Sequence, residues 1–395
     1  MLEKDKACRI RSFTAENFFR VMIILVSGSN RDGAERALNE VFGFADKLRV
    51  PTRAAFCKFR SKISWKWFRD CFSSLFSQTN HLRQRWYGMY IYAIDGKQIQ
   101  VPRTKDLMAK KFSGKKTSKY QESYMPKAYL TALYDVLSGL CKQITFNPTL
   151  HENADAYNIL TQVEEGSLVI YDRLYFSEKL VRRHSELGLK FLFRLRSNSN
   201  KAIKKFAVSN KQSSTTEIAG KRVKLIKFQH RRSKETLIFA TNLPDRHCDP
   251  KTLADLYRCR WEIELFFREL TDQTKSHQWH SKTLNGIKQE LYTQLWLINC
   301  TKANMLLAGQ KPCQPQAKVY KKANFKQCYL FVVRYLASSF DKFQYMFRYL
   351  QGLINKTTQR RIRFSREYER VIKSPRSTYK YYGSNWYWEL NPALS

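Results

Sequence analysis

The chain has 395 residues, 43% of them hydrophobic and 14% aromatic, which is enough apolar surface for a sizeable core and excludes an intrinsically disordered chain. Its 71 Lys and Arg against 33 Asp and Glu leave a formal charge of +38, spread along most of the sequence, and this points to a polyanionic partner. The longest apolar run, VMIILV at 21–26, is far short of the roughly 20 residues of a membrane span, and MLEKDKACRIR lacks the apolar centre of a signal peptide.

A cytoplasmic, nucleoid-associated protein with no membrane partner is therefore expected. The nine cysteines are odd in number, scattered and never spaced Cys-x-x-Cys. That pattern argues against a disulfide framework or a zinc ribbon and for reduced, mostly buried thiols.

Residues 1–85 read as a helical, DNA-binding N-terminal domain. AENFFRVMIILVSG and SWKWFRDCFSSLF carry apolar residues at helical spacing, and the basic RVPTRAAFCKFRSK reads as a turn between them. From 86 the pattern changes to strands: WYGMYIYAID (86–95), KAYLTALYDV (127–136) and GLCKQITFNP (139–148). A helix near 154–164, the strand SLVIYD (167–172), a helix capped by Ser177 and the strand KFLFRLR (190–196) follow. Residues 86–197 thus predict the first part of an α/β core with a mixed five-stranded sheet. The polar, Ser/Lys-rich residues 198–250 predict a β-rich insertion with strands in KRVKLIKF and ETLIFATNL. The core resumes over 251–310 with a long helix capped by Asp249 or Thr252 and with Pro250 in its first turn. Residues 311–395 predict a helical C-terminal region ending in a basic, aromatic tail.

Three carboxylates occupy telling places: Asp95 at the end of the first strand, Asp172 at the end of the fourth, and Glu264 on the long helix. If the first and fourth strands are neighbours, the aspartates converge at one edge and the helix brings the glutamate to them. Oxygen donors without His or Cys suit Mg²⁺ or Mn²⁺. Singly, each residue has a plainer reading: Asp95-Gly96 as a hairpin turn, Asp172 as a strand end, Glu264 as a solvated helix residue. His151-Glu152 reads as a helix start, and Arg194 and Arg196 alternate with apolar residues so that one strand face turns toward DNA.

Around these residues the sequence resembles the DDE transposases of bacterial insertion sequences, in particular the insertion sequence 4 family. Tyr257, Arg260 and Glu264 repeat its tyrosine, arginine and glutamate at the family spacing. YAIDG around Asp95 and VIYDRLYFS around Asp172 look like its two aspartate blocks, and TNL at 241–243 resembles the lead-in to its glutamate helix. The likeness runs over roughly residues 87–300.

The resemblance implies an RNase H-like core interrupted by a β insertion. It implies two Mg²⁺ (or Mn²⁺) ions per site, Asp95 bridging both while Asp172 and Glu264 each complete one. Tyr257 and Arg260 would hold phosphates of the DNA end. The implied reaction is cut-and-paste transposition: hydrolysis at the inverted repeats of the transposon ends, then attack of the freed 3′-hydroxyl on target double-stranded DNA, by a homodimer. One departure is Thr271, where the family has lysine; on a continuous α-helix Arg268 and Lys275 flank that position and are its candidate substitutes in holding DNA, the plainer reading of Lys275 being an ordinary surface charge. Another is that no Trp lies between Trp86 and Trp261, which leaves open whether a DNA hairpin forms. Two alternatives stand beside the transposase: a catalytically decayed DNA-binding derivative, suggested by Thr271, and a stand-alone RNase H-like nuclease.

Overall fold

The first and longest strand, β1 (Ile91–Gln100), organises the molecule. The structure, a computed structural model, describes residues 13–28, 33–43, 50–112, 126–229, 236–273, 279–313, 319–338 and 343–362. Four helices precede β1: α1 (Ala15–Ser27), α2 (Gly33–Phe42), α3 (Arg53–Lys62) and α4 (Trp65–Gln78). After β1 come α5 (Lys105–Ala109), β2 (Lys127–Asp135), β3 (Leu140–Asn147), α6 (Glu152–Ile159), β4 (Leu168–Tyr171), α7 (Glu178–Glu186) and β5 (Lys190–Leu195). Next are α8 (Lys201–Val208), β6 (Ser213–Ile218), β7 (Lys221–Gln229) and β8 (Thr236–Thr241). Helices α9 (Pro250–Arg258), α10 (Trp261–Arg268), α11 (Leu284–Leu307), α12 (Phe325–Ser338) and α13 (Phe343–Lys356) complete the described elements used below.

The strands form one sheet in the order β3-β2-β1-β4-β5-β8-β7-β6. β1 is antiparallel to β2 and parallel to β4, and β4 is parallel to β5. The first five strands therefore make the mixed α/β sheet of the expected RNase H-like core. The three strands of 198–250 continue that sheet, because β8 pairs antiparallel with β5. Alternation along β1 sends Ile91 and Ala93 into a core with α10 and α11, and Tyr92 and Ile94 into a second core with α6 and α7.

At the entrance to β1 a buried polar cluster fixes its start. The Arg83 guanidinium donates to Asp135 (2.9 Å) and Glu164 (2.9 Å), and the Tyr92 hydroxyl donates to Glu164 (2.6 Å). α11 is buried on nearly every side, with α1, α3, α4, α12, α13 and β3 packed around it. Among the described residues no helix is long and apolar enough to cross a membrane.

Several expectations need correction. RVPTRAAFCKFRSK is not a turn: Thr52 caps α3, its hydroxyl accepting from Ala55 N (3.2 Å), and Arg60 of that helix is buried against Gln289 (2.8 Å) and Glu290 (2.7 Å) of α11. Asp95-Gly96 is neither a hairpin turn nor a strand end, because both residues stay in the ladder, opposite Ala132 and Thr131 of β2. The tight turn lies earlier, where Trp86 and Met89 exchange backbone hydrogen bonds and Tyr87 and Gly88 have φ of 47° and 81°. The long helix is two, meeting at Cys259-Arg260, although its cap is as expected: Asp249 accepts from Thr252 N (2.8 Å), with Pro250 at the first helical position. Finally, Cys259 and Cys313 are joined as a disulfide, so the cysteines are not all reduced. Cys141, Cys300 and Cys328 are buried free thiols, as anticipated.

Candidate active site

The β1–β4 ladder sets the geometry. Its register pairs Ile91 with Leu168 and ends with Ile94 opposite Tyr171. Asp95 and Asp172 are each the residue after that last pair, so they stand side by side on neighbouring strands, whose spacing is about 4.8 Å. Each aspartate is steadied by its own turn of backbone: Asp95 Oδ1 accepts from Gly96 N (2.9 Å), and Asp172 Oδ1 accepts from Arg173 N (2.7 Å).

Glu264 arrives from above the sheet. α10 packs on β1 through Ile263, Phe266 and Phe267, which are buried and place the intervening Glu264 toward the strand edge. Arg260, at the start of α10, links the groups: its Nη2 lies 2.5 Å from Glu264 Oε1 and its Nη1 3.6 Å from Asp95 Oδ2. Its Nε is buried and has no hydrogen-bond partner among the described residues. The Tyr257 hydroxyl, from α9, donates to Asp172 Oδ1 (3.2 Å), and its ring centroid is 5.8 Å from the Arg260 guanidinium carbon. One arginine and one tyrosine thus touch all three carboxylates.

Burial dominates the electrostatics. Desolvation raises the Asp95 carboxyl to about 6, reinforced by the negative charges of Glu264 and Asp172 and opposed by the Gly96 amide and Arg260. Desolvation likewise raises the Tyr257 phenol to about 12, so it is a neutral donor near neutral pH. Arg194 of β5 is one of the charges acting on Tyr257, which puts it beside the site, while Arg196 is exposed.

The structure brings the three carboxylates, Tyr257 and Arg260 together, and it departs from the expected helix at the far end of the motif. After Arg268, which is exposed, the chain enters a π-helix, Glu269–Gln273. A π-helix has more residues per turn than an α-helix, so the α-helical phase of the Glu264 face is lost over 269–273. Lys275 itself lies outside the described residues. Thr271 is buried, its hydroxyl donating to the Phe267 carbonyl (2.8 Å), and it does not occupy the position of a surface lysine. Glu152 opens α6 behind His151, as the helix-start reading expected.

Among the described residues no three His, Cys, Asp or Glu side chains are gathered closely enough to hold a metal ion. The donor set nonetheless fits one. Asp95 and Glu264 already converge on a single positive group, the Arg260 guanidinium, and the donors are all carboxylate oxygens, the chemistry that hard divalent cations take.

Residues 86–300, just over half of the chain, match the family described as Transposase DDE domain. Among curated proteins, the candidate transposase InsZ of Escherichia coli (strain K12) is 28% identical over 109 residues. That match covers 27% of this chain and 36% of InsZ, so the chain spans little more than a third of that relative's length. Among solved structures, a piggyBac transposase synaptic complex with hairpin DNA aligns over 96% of this chain and 83% of its own at 12% identity, with a TM-score of 0.43.

Proposed function

The chain belongs to the Transposase DDE domain family, and from that premise we propose that it is a DNA transposase whose reaction centre is Asp95, Asp172 and Glu264. The observation that supports this most is the register of β1 and β4, which sets the two aspartates abreast while Arg260 draws Glu264 toward Asp95. The Tyr257, Arg260 and Glu264 spacing favours the insertion sequence 4 branch of the family. The substrate is the double-stranded DNA of transposon ends and then of the target, which a chain of net charge +38 suits. Helices α1 to α4 and the C-terminal basic tail would supply end recognition, and a homodimer would hold the paired ends.

Divalent cations, two per site, would be held by the three carboxylates. When bound they supply the charge that activates the attacking oxygen and stabilises the leaving one. The protein's own groups do the rest. In the absence of DNA, Arg260 neutralises Asp95 and Glu264. A DNA phosphate competes for that guanidinium through bidentate, charge-assisted hydrogen bonds. Arg260 then holds the phosphate, and the two carboxylates are released toward the cation. Tyr257 keeps Asp172 aligned through its hydroxyl, and Arg194 adds a second positive charge on the β5 side.

The test is purified protein with the terminal DNA of its element and Mg²⁺ or Mn²⁺, scored for strand cleavage and joining. Asp95→Asn, Asp172→Asn and Glu264→Gln are each expected to abolish cutting while DNA binding persists. Cutting retained by any of them removes that carboxylate from the centre. Binding without cutting by the wild type would instead favour a decayed, DNA-binding derivative, and cutting without joining a simple nuclease.

A further inference from the structure

A fourth carboxylate reaches the same strand edge from the other side of the sheet. Odd-numbered residues of β1 up to Asp95 face α10, and even-numbered ones, Gly96 among them, face α6. Glu152, the first residue of α6, covers that glycine: a Cβ at position 96 would come within 2.8 Å of Glu152 Oε1 and 3.2 Å of its carboxyl carbon. Because β4 ends at Tyr171 while β1 runs on to Gln100, the β4 side of β1 carries no ladder beyond Ile94, and both layers have access to Asp95.

Tyr175 enters from this second layer. Its amide donates to the Asp172 carbonyl (3.1 Å), and its ring packs 5.8 Å from that of Tyr171. The side chain is 2% exposed, and its hydroxyl has no hydrogen-bond partner among the described residues. The acidic groups whose charge bears on that hydroxyl are Asp95, Glu152 and Asp172. A buried donor left without an acceptor is rare and costly, and here it is set among carboxylates of which Asp95 and Glu264 share the Arg260 guanidinium.

We propose that Glu152 is a further oxygen ligand of the divalent cation, presented beside Asp95 from the opposite face of the sheet, and that Tyr175 is a positioning residue whose hydroxyl donates to the assembled carboxylates. The bare backbone at Gly96 is then the clearance that lets Glu152 reach the site. This rests on the reading of Asp95, Asp172 and Glu264 as the cation site.

Manganese binding to the full chain, measured by calorimetry without DNA or turnover, tests it. Glu152→Gln and, independently, Gly96→Ala, whose methyl displaces the carboxylate, are each expected to weaken Mn²⁺ binding about tenfold or more, and Tyr175→Phe severalfold. Melting temperatures should match the wild type, and Glu178→Gln, on the exposed start of α7, should bind Mn²⁺ as the wild type does. If Asp95→Asn loses Mn²⁺ while Glu152→Gln and Gly96→Ala keep wild-type affinity, the role of Glu152 is overturned and the three-carboxylate site stands. If Asp95→Asn also keeps full affinity, both fall.

Discussion

Asp95→Asn should stabilise the DNA-free protein while destroying its chemistry. Burial raises the carboxyl from 3.8 to about 6. Below 3.8 the folded and unfolded chains both hold the proton, and Asp95 costs nothing. Between 3.8 and 6 the unfolded chain releases the proton to water while the folded chain still holds it, so stability is lost across that window and changes no further once both are ionised. The displacement corresponds to about 3 kcal/mol at pH 7 as an upper bound. Asparagine keeps an oxygen for the Gly96 amide and removes the charge, and Arg260 retains Glu264 as its partner. Urea midpoints of wild type and variant, compared from pH 4 to 8 without divalent ions, should coincide near pH 4. They should diverge through pH 6, the variant ahead by roughly 1–3 kcal/mol. Added Mn²⁺ should then stabilise only the wild type. Equal midpoints at pH 7.5, or a variant less stable throughout, would refute the desolvation argument.

Thr271→Lys, which family spacing alone suggests is harmless, should cost roughly 2 kcal/mol or more, because a charge replaces a buried hydroxyl bonded to Phe267. A melting temperature equal to the wild type would place residue 271 at the surface after all. Arg60→Met should destabilise by about 3–5 kcal/mol in thermal unfolding, because buried Glu290 loses its guanidinium partner and is left with the His280 and Ser281 amides. An unchanged melting temperature would mean that the Arg60–Glu290 pair contributes nothing to stability. Cys313→Ser should lower stability by about 2–4 kcal/mol for a bridge spanning 54 residues, and a reductant should erase the difference. Identical melting with and without reductant would show that the bond does not form in the purified protein.

What was legible in the sequence was whatever short-range patterns determine. Period-two runs located β2 to β5 to within a residue or two, and Ser177 and Asp249 were recognisable caps because capping is settled within three residues. Features settled by distant partners were not legible. α3 has little apolar periodicity, and it is held by Arg60 reaching residues 229 and 230 positions away. Asp95-Gly96 has the local chemistry of a turn, and only its pairing with Ala132 and Thr131 keeps it extended. The phase beyond Glu264 failed for a similar reason. Glu269 is buried against Lys302 of α11 (2.6 Å), a contact formed where the chain leaves α-helical geometry, and nothing within 269–273 announces it. The Tyr257, Arg260 and Glu264 spacing is visible along the chain itself, whereas Glu152 was read as a helix start because its nearness to Gly96 exists only across the sheet.

The burial of α11 sets a limit on dissection. The family match stops at residue 300, inside a helix that runs from Leu284 to Leu307 and is covered on one side by α1, α3 and α4 and on another by α12 and α13. A fragment cut at the limits of the match would bare Tyr292, which lies against Trp65 and Phe72, and Trp296, which lies against Phe19, to water on a single central rod, and such a surface drives association between molecules rather than folding. The segment that matches the family is therefore not the segment that can stand alone. Anyone dividing this protein to study its parts should cut at the rim of the helical collar and leave the axle whole.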